Sequence, residues 1–400
     1  MAKHTLGIVL GLAVVAGMAG AAPITVGADG ALLREGKPYR GIGVNYFDCF
    51  TRCLENPEDT SYREGFKTLA EHEIPFVRAS FGGFYPANWK LYQNDKETYF
   101  RLMDNVVKAA EESGIGIIPS LFWAVACIPD LVGEPCNAWG KPDSKTHAFM
   151  RQYVREVVGR YVDSKAIWAW EFGNEYSLAV DLPNAADHRP PTPTQFGAPA
   201  TRSAEDDLTS EMINTAFKAF AEEIRRIDPV RPITTGNATP RHSAEHLRNA
   251  RGWKTDSRED LMRNLAFATP DPMNMVSIHV YPGDIEKRFE ADSKTTYADV
   301  LRVCLEGSAA AKKPLFIGEF GGPPDNQAPW NFESAKVEGL ALLKAIEESK
   351  VPLAAIWVFD FAWQDDFINI STSNHRAHYL GAVRDANRRI KEAQAAAQRE

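Results

Sequence analysis

Two glutamates in this 400-residue chain stand where a short apolar run opens into polar sequence. One closes Trp170-Glu171-Phe172-Gly173-Asn174-Glu175. The other lies in Phe316-Ile317-Gly318-Glu319-Phe320-Gly321-Gly322. A carboxyl pair of this kind suits the cleavage of an acetal. One carboxyl, kept protonated, helps an oxygen leave, while the other, ionised, attacks the carbon. Two carboxylates sharing a site cannot both ionise cheaply, so the charge on one raises the pKa of its partner. On this reading Glu319 is the nucleophile and Glu175 the general acid/base. A lone glutamate at a strand end is more often satisfied by a salt bridge; the matched pair favours chemistry.

Other residues at the ends of apolar runs supply what such a pair needs. Arg78, in Phe76-Val77-Arg78-Ala79, can hold the nucleophile ionised through charge-assisted hydrogen bonds. Asn174 adjoins the acid and can bond a sugar 2-hydroxyl, a contact that strengthens in the transition state. In Ser277-Ile278-His279-Val280-Tyr281 alternation points His279 and Tyr281 the same way, which lets Tyr281 donate to the nucleophile. Trp357 and Trp123 end two further runs, and Tyr46 lies close to a third. Rings at a cleft stack on the apolar faces of pyranoses. Phe84, Tyr85, Trp89 and Trp363 occupy neighbouring stretches, and for Phe84 and Trp89 core packing explains the residue equally well. Glu171 has no assigned role, unless as the interior partner of a buried arginine.

These residues need a scaffold that gathers strand ends. Short β-branched, apolar runs alternate with segments of helical period, the pattern of βαβ units and a parallel sheet. The strand candidates are Gly41–Tyr46, Pro75–Ala79, Ile115–Leu121, Ala166–Phe172, Pro232–Thr235, Met275–Val280, Pro314–Glu319 and Ala354–Phe359. Helical patterns fall between them. Ile213, Phe217, Phe220, Ile224 and Ile227 form one apolar stripe, and Phe149, Tyr153, Val157 and Tyr161 another. Further helices are expected over 62–72, 98–113, 296–310, 332–348 and 376–397. The fifth unit is the weakest, with polar 241–250 followed by a second helical piece at 257–266. Eight strand–helix units of this length predict a single (β/α)8 TIM barrel domain over 23–400. The open doubly wound alternative lacks its GxGxxG turn. Residues 23–40 read as a short N-terminal β-hairpin capping the barrel floor. The proline-rich loop 181–206 follows the fourth strand, so it either walls the cleft or is a loose surface insertion.

Composition sets the remaining bounds. Hydrophobic content of 44% and charged content of 24% are ordinary for a filled core, and a formal net charge of −8 argues against nucleic-acid or anionic-lipid partners. Lys3 and His4, the apolar run Leu6 to Val15 and small residues through Ala22 read as a signal peptide over 1–22, hence a secreted or periplasmic protein. The apolar stretch is shorter than the roughly 20 residues of a membrane span. Of five cysteines, Cys127 and Cys136 bracket a turn-rich loop that a disulfide could close, and Cys49 with Cys53 is a second possible pair. Cys304 reads as apolar filler. No Cys/His cluster has metal-site spacing, so no structural metal is expected.

Asn174-Glu175, His279-Val280-Tyr281, Gly318-Glu319-Phe320-Gly321 and Trp357 resemble the signature of clan A glycoside hydrolases, and of family 5, the cellulase and mannanase family, most of all. Gly41-Ile42-Gly43-Val44-Asn45-Tyr46-Phe47 and Phe76-Val77-Arg78-Ala79-Ser80 fit the same pattern, and the order is the family's. The resemblance implies a retaining double displacement without a cofactor on a β-linked polysaccharide or oligosaccharide, with the two glutamates as assigned. Leu121-Phe122-Trp123 lacks the histidine common near the third strand. Tyr176 replaces a usual proline, and the fourth strand is similar to the mannanase version. Endo action on mannan or glucan by a monomer is the expectation. The alternatives are an exo-acting β-glycosidase, whose cleft loop 181–206 would close at one end, and a non-catalytic sugar-binding barrel. A metal-dependent hydrolase would need histidine pairs that the nine histidines do not supply.

Overall fold

The computed structural model describes residues 24–250, 252–285, 287–289 and 294–397. The expected signal peptide lies outside the described residues. Among these residues β1 (Ile24–Val26), β2 (Leu32–Arg34) and β3 (Lys37–Pro38) form a small antiparallel sheet. The barrel strands are β4 (Gly41–Asn45), β5 (Phe76–Ser80), β6 (Gly116–Phe122), β7 (Trp170–Gly173), β8 (Ile233–Thr234), β9 (Val276–Val280), β10 (Leu315–Phe320) and β11 (Leu353–Ile356). All eight pair in parallel with their chain neighbours, and β11 returns to β4. Closure comes between β8 and β9, where Thr234 bridges Met275 and the Met275 amide donates to the Ile233 carbonyl at 3.2 Å. The result is a (β/α)8 barrel with the eight expected strands in the expected order. The N-terminal hairpin gains a third strand.

Alternation divides each strand between two cores. Ile42, Val44, Val77, Ile117, Ile278 and Ile317 face the helices. Phe76, Ile118, Trp168, Phe316 and Leu353 fill the barrel with Ile24 and Leu32 beneath them, so the small sheet plugs the floor. Phe76 of β5 and Phe316 of β10 come within 6.3 Å although their strands are not neighbours, a contact made through the interior. The outer helices aim the strands. Helix Ser210–Arg225 starts at Thr209, whose hydroxyl accepts the Met212 amide, and it buries Ile213, Phe217, Phe220 and Ile224. Its Phe217 and Phe220 rings lie 5.0 and 5.1 Å from Phe172 of β7. Truncating either would destabilise by about 3–5 kcal/mol and loosen the strand that carries the first glutamate. The fifth unit does contain two short helices, Ala244–Arg248 and Arg258–Phe267.

Loop 181–206 is a wall. It holds three 3-10 turns and is pinned where Arg202 donates to both Asp130 oxygens at 2.6 and 2.8 Å, with both side chains almost buried. Phe196 stacks on Tyr85 at 4.7 Å. The cysteine pairings are not found: all five are buried free thiols. The Cys127 sulfur accepts from the Trp89 indole at 3.1 Å and donates to the Gly83 carbonyl at 3.2 Å, while the Cys53 thiol donates to the Cys49 and Asp59 carbonyls. Sulfurs so engaged are not aimed at one another, as a disulfide requires. Cys304 packs as filler in the outer core. No described helix is long and apolar enough to cross a membrane.

Candidate active site

Parallel strands deliver their last residues to one face, and a bulge decides what β10 delivers. Phe316 points inward and Ile317 outward, so strict alternation would turn Gly318 inward and Glu319 out to the helices. Instead the register against β9 shifts between Ile317 and Glu319. Gly318 is the inserted residue; after it Glu319 faces the interior and Phe320 joins the outer core. A bulge leaves a carbonyl without a ladder partner, and here Asn45 Nδ2 donates to the Gly318 oxygen at 2.9 Å. Glycine is required because a Cβ at 318 would stand 2.8 Å from His279 Nε2.

Arg78 is the centre of the site. Its guanidinium, wholly buried, donates from Nε to Glu171 at 2.8 and 3.0 Å. From Nη1 it donates to Glu319 Oε1 at 2.9 Å and Asn45 Oδ1 at 3.1 Å, and from Nη2 to Asn174 Oδ1 at 2.8 Å. Glu171 is therefore the interior partner of a buried arginine, the one role the sequence offered for it. Burial pushes its carboxyl up, against the pull of Arg78. Its backbone surroundings are equally tight: a Cβ on Gly236 (φ +73°) would lie 2.9 Å from the Glu171 carboxyl carbon and closer still to the Gly173 carbonyl. Only glycine permits that approach, which also lets the Gly236 oxygen accept the Glu175 amide at 2.8 Å.

The two glutamates stand in different surroundings. Glu319 is 6% exposed, and its other oxygen accepts from the Tyr281 hydroxyl at 2.9 Å. Two donors, one of them cationic, thus fix both of its oxygens in place. The Glu175 side chain is 33% exposed and lies at the cleft surface, on a residue with φ of +55°. That left-handed conformation in a non-glycine residue is strained by about 1–3 kcal/mol and turns the side chain off the line of β7. Burial of the carboxyl raises its pKa, with Arg78 opposing. His279 Nδ1 lies 2.9 Å from Glu175 Oε1 and 3.8 Å from Glu319 Oε1. Burial pushes the imidazole down to about 3, so it is neutral and does not draw the proton from Glu175. Oxygens of the two carboxyls come within 4.8 Å of each other. A carboxyl pair that must seat a water between its members stands farther apart, about 6.5–9.5 Å.

Above the carboxyls lies an aromatic lining. Trp123 and Trp357 sit 6.0 Å apart, with Arg78 over the Trp123 ring at 4.5 Å and the Trp357 indole donating to Gln364 at 2.9 Å. Phe47 joins them at 4.7 and 5.9 Å. A cleft of about 390 Å³ opens beside Glu175, lined by Tyr85, Trp123, Asn174, Pro190 and Arg202. Asn174 must turn Oδ1 to the arginine, which leaves its Nδ2 as a donor towards that space. One predicted residue is misplaced: Tyr46 is buried outside the barrel, its hydroxyl donating to Asp360 at 2.8 Å and its ring against Phe66 and Phe359. Inward Asn45 and Phe47 flank it, and alternation could have found both. The compactness of Glu175, His279 and Glu319 is also that of a metal site. Here the Arg78 cation already faces Glu319, and its charge would repel a second. In the other such cluster, Asp256 already accepts from the Glu245 and His246 amides and from His246 Nδ1.

A closed parallel barrel with a carboxyl pair and aromatic rings at its C-terminal mouth is the architecture of a glycoside hydrolase. A family model described as cellulase (glycosyl hydrolase family 5) matches residues 35–360, and the chain belongs to that family. It is 26% identical to a probable mannan endo-1,4-β-mannosidase A from Aspergillus clavatus over 341 residues, 78% of this chain and 83% of that one. Among solved structures it resembles an endo-1,4-β-mannanase from Rhizomucor miehei, with TM-score 0.66, 15% identity, and coverage of 93% and 100%. It also resembles the exo-β-1,4-mannosidase Op5Man5 from Opitutaceae bacterium strain TAV5, with TM-score 0.59, 15% identity, and coverage of 92% and 63%. At such identity the structural likeness concerns the fold.

Proposed function

We propose that this glycoside hydrolase is an exported, endo-acting β-1,4-mannanase that works by retaining double displacement. The observation that supports the mechanism is that Glu175 and Glu319 bring carboxyl oxygens within 4.8 Å of each other, with Glu319 held by Arg78 and Tyr281 and Glu175 beside a neutral His279. Glu319 attacks the anomeric carbon while Glu175 gives its proton to the departing oxygen, leaving a glycosyl ester. Water then attacks that ester, Glu175 recovers a proton from it, and Glu319 leaves as carboxylate. Asn174 Nδ2 bonds the sugar 2-hydroxyl, and Trp357 supports the ring. Mannan is favoured by the similarity to an enzyme named for that activity, and by the Trp170–Glu175 stretch. Export rests on the leader-like residues 1–22.

The ordered wall at 181–206 favours a second reading, exo action on short oligosaccharides. Reducing-sugar and viscosity assays on β-mannan, β-1,4-glucan, β-1,3-glucan and xylan, with Glu319→Gln alongside, separate the two. Endo action lowers viscosity early, exo action releases sugar with little viscosity change, and loss in the variant ties either to the pair. No release from any polymer or aryl glycoside would leave a sugar-binding barrel instead.

A further inference from the structure

Among the described residues one aromatic ring is conspicuous by exposure. Trp363 is 84% exposed, whereas Trp89, Trp139, Trp168 and Trp170 are fully buried. It belongs to the turn Ala362–Gln364 that follows β11, and both its flanks reach the cleft. Phe361 packs against Phe47 at 5.0 Å, and Gln364 accepts the Trp357 indole at 2.9 Å. The turn is fastened from several sides. The Phe361 amide donates to Asn369 Oδ1 at 2.8 Å, and the Gln364 carbonyl accepts three amides. Arg376, itself buried, donates to the Asp365 carbonyl at 2.8 Å. A ring on so ordered a turn, left in solvent at the rim of an aromatic-lined cleft, is pre-organised to stack. Asp366, three residues further on, is exposed as well. An indole face with an exposed carboxylate close by in sequence suits a neutral polyhydroxylated ring better than an anionic one.

We infer that Trp363 forms a distal subsite, binding a neutral pyranosyl unit of the substrate chain remote from the bond cleaved. This rests on the reading of the protein as a β-glycan hydrolase. It makes chain length a determinant of affinity: long substrates reach the ring and short ones do not. Trp357, inside the cleft, serves short and long substrates alike.

The test compares wild type, Trp363→Ala and Trp363→Phe on a trisaccharide and a hexasaccharide of whichever β-glycan the wild type cleaves. Trp363→Ala should raise KM for the hexasaccharide about 3- to 10-fold, the worth of one stacked ring, with kcat unchanged. The trisaccharide KM should stay within about 2-fold, and Trp363→Phe should restore most of the hexasaccharide affinity. Equal effects on both lengths, or none on either, would overturn the subsite. So would a concentration-dependent dimer in sedimentation that Trp363→Ala abolishes, since a second copy would then cover the ring. If the wild type cleaves no glycan at all, the functional reading fails first, and that outcome is visible before any variant is compared.

Discussion

Replacing Gly318 with alanine tests whether the bulge in β10 aims the nucleophile. The new Cβ would meet His279 Nε2 at 2.8 Å, His279 Cδ2 at 3.1 Å and Ser277 Oγ at 3.4 Å. Ordinary contact needs about half an ångström more, and a packed interior does not yield it without strain. His279 is 1% exposed and already 2.9 Å from Glu175. Relief therefore comes either from displacing the imidazole, which disturbs Glu175, or from opening the bulge, which turns Glu319 away. Overpacking of this kind destabilises by about 1–3 kcal/mol. Misplacing a catalytic group by up to an ångström lowers kcat by about 10- to 100-fold. Both are measurable, by chemical denaturation and by turnover on the polymer the wild type cleaves. Gly283→Ala is the control on the same face, because a Cβ there meets nothing within 4 Å. If Gly318→Ala matched Gly283→Ala in stability and kcat, the argument from the bulge would be wrong.

Three further outcomes are expected. Arg78→Met leaves Glu171 buried without its cation, so it should lose about 3–5 kcal/mol of stability in denaturant titration; a loss under 1 kcal/mol would remove Arg78 from the centre of the site. Burial raises the Glu175 pKa, so activity should fall on the alkaline side as pH climbs through that raised value and the proton is lost. With an aryl glycoside whose leaving group needs no proton, Glu175→Gln should abolish this alkaline limb, and its survival would assign the limb to another group. Finally, thiol titration without reductant should find no reactive thiol in the native protein and all five after denaturation; a single thiol would mean two disulfides.

The barrel was legible because each strand is a short apolar run between helices of clear period, and that pattern survives without knowledge of contacts. The two glutamates and Arg78, His279 and Tyr281 were legible for a related reason: polar residues at the ends of buried strands have few other uses. Alternation failed where the backbone leaves it. Counting inward positions from Phe316 would send Glu319 to the helices, and only the inserted Gly318 reverses this. Nearness to a strand end points Tyr46 to the cleft, although Asn45 holds the inward position and bonds Arg78. The role of Glu171 depends on an arginine 93 residues away in sequence, and no local pattern shows such a pairing. Cysteine spacing likewise gave the loop lengths but not the direction of any sulfur.

The most direct test of the proposed catalytic pair is the anomeric configuration of the first product, read by proton NMR as hydrolysis starts. Oxygens within 4.8 Å leave Glu319 in reach of the anomeric carbon, so the β-anomer should form first and mutarotate later. First appearance of the α-anomer would mean that water, not Glu319, attacks the sugar, and would contradict the double displacement.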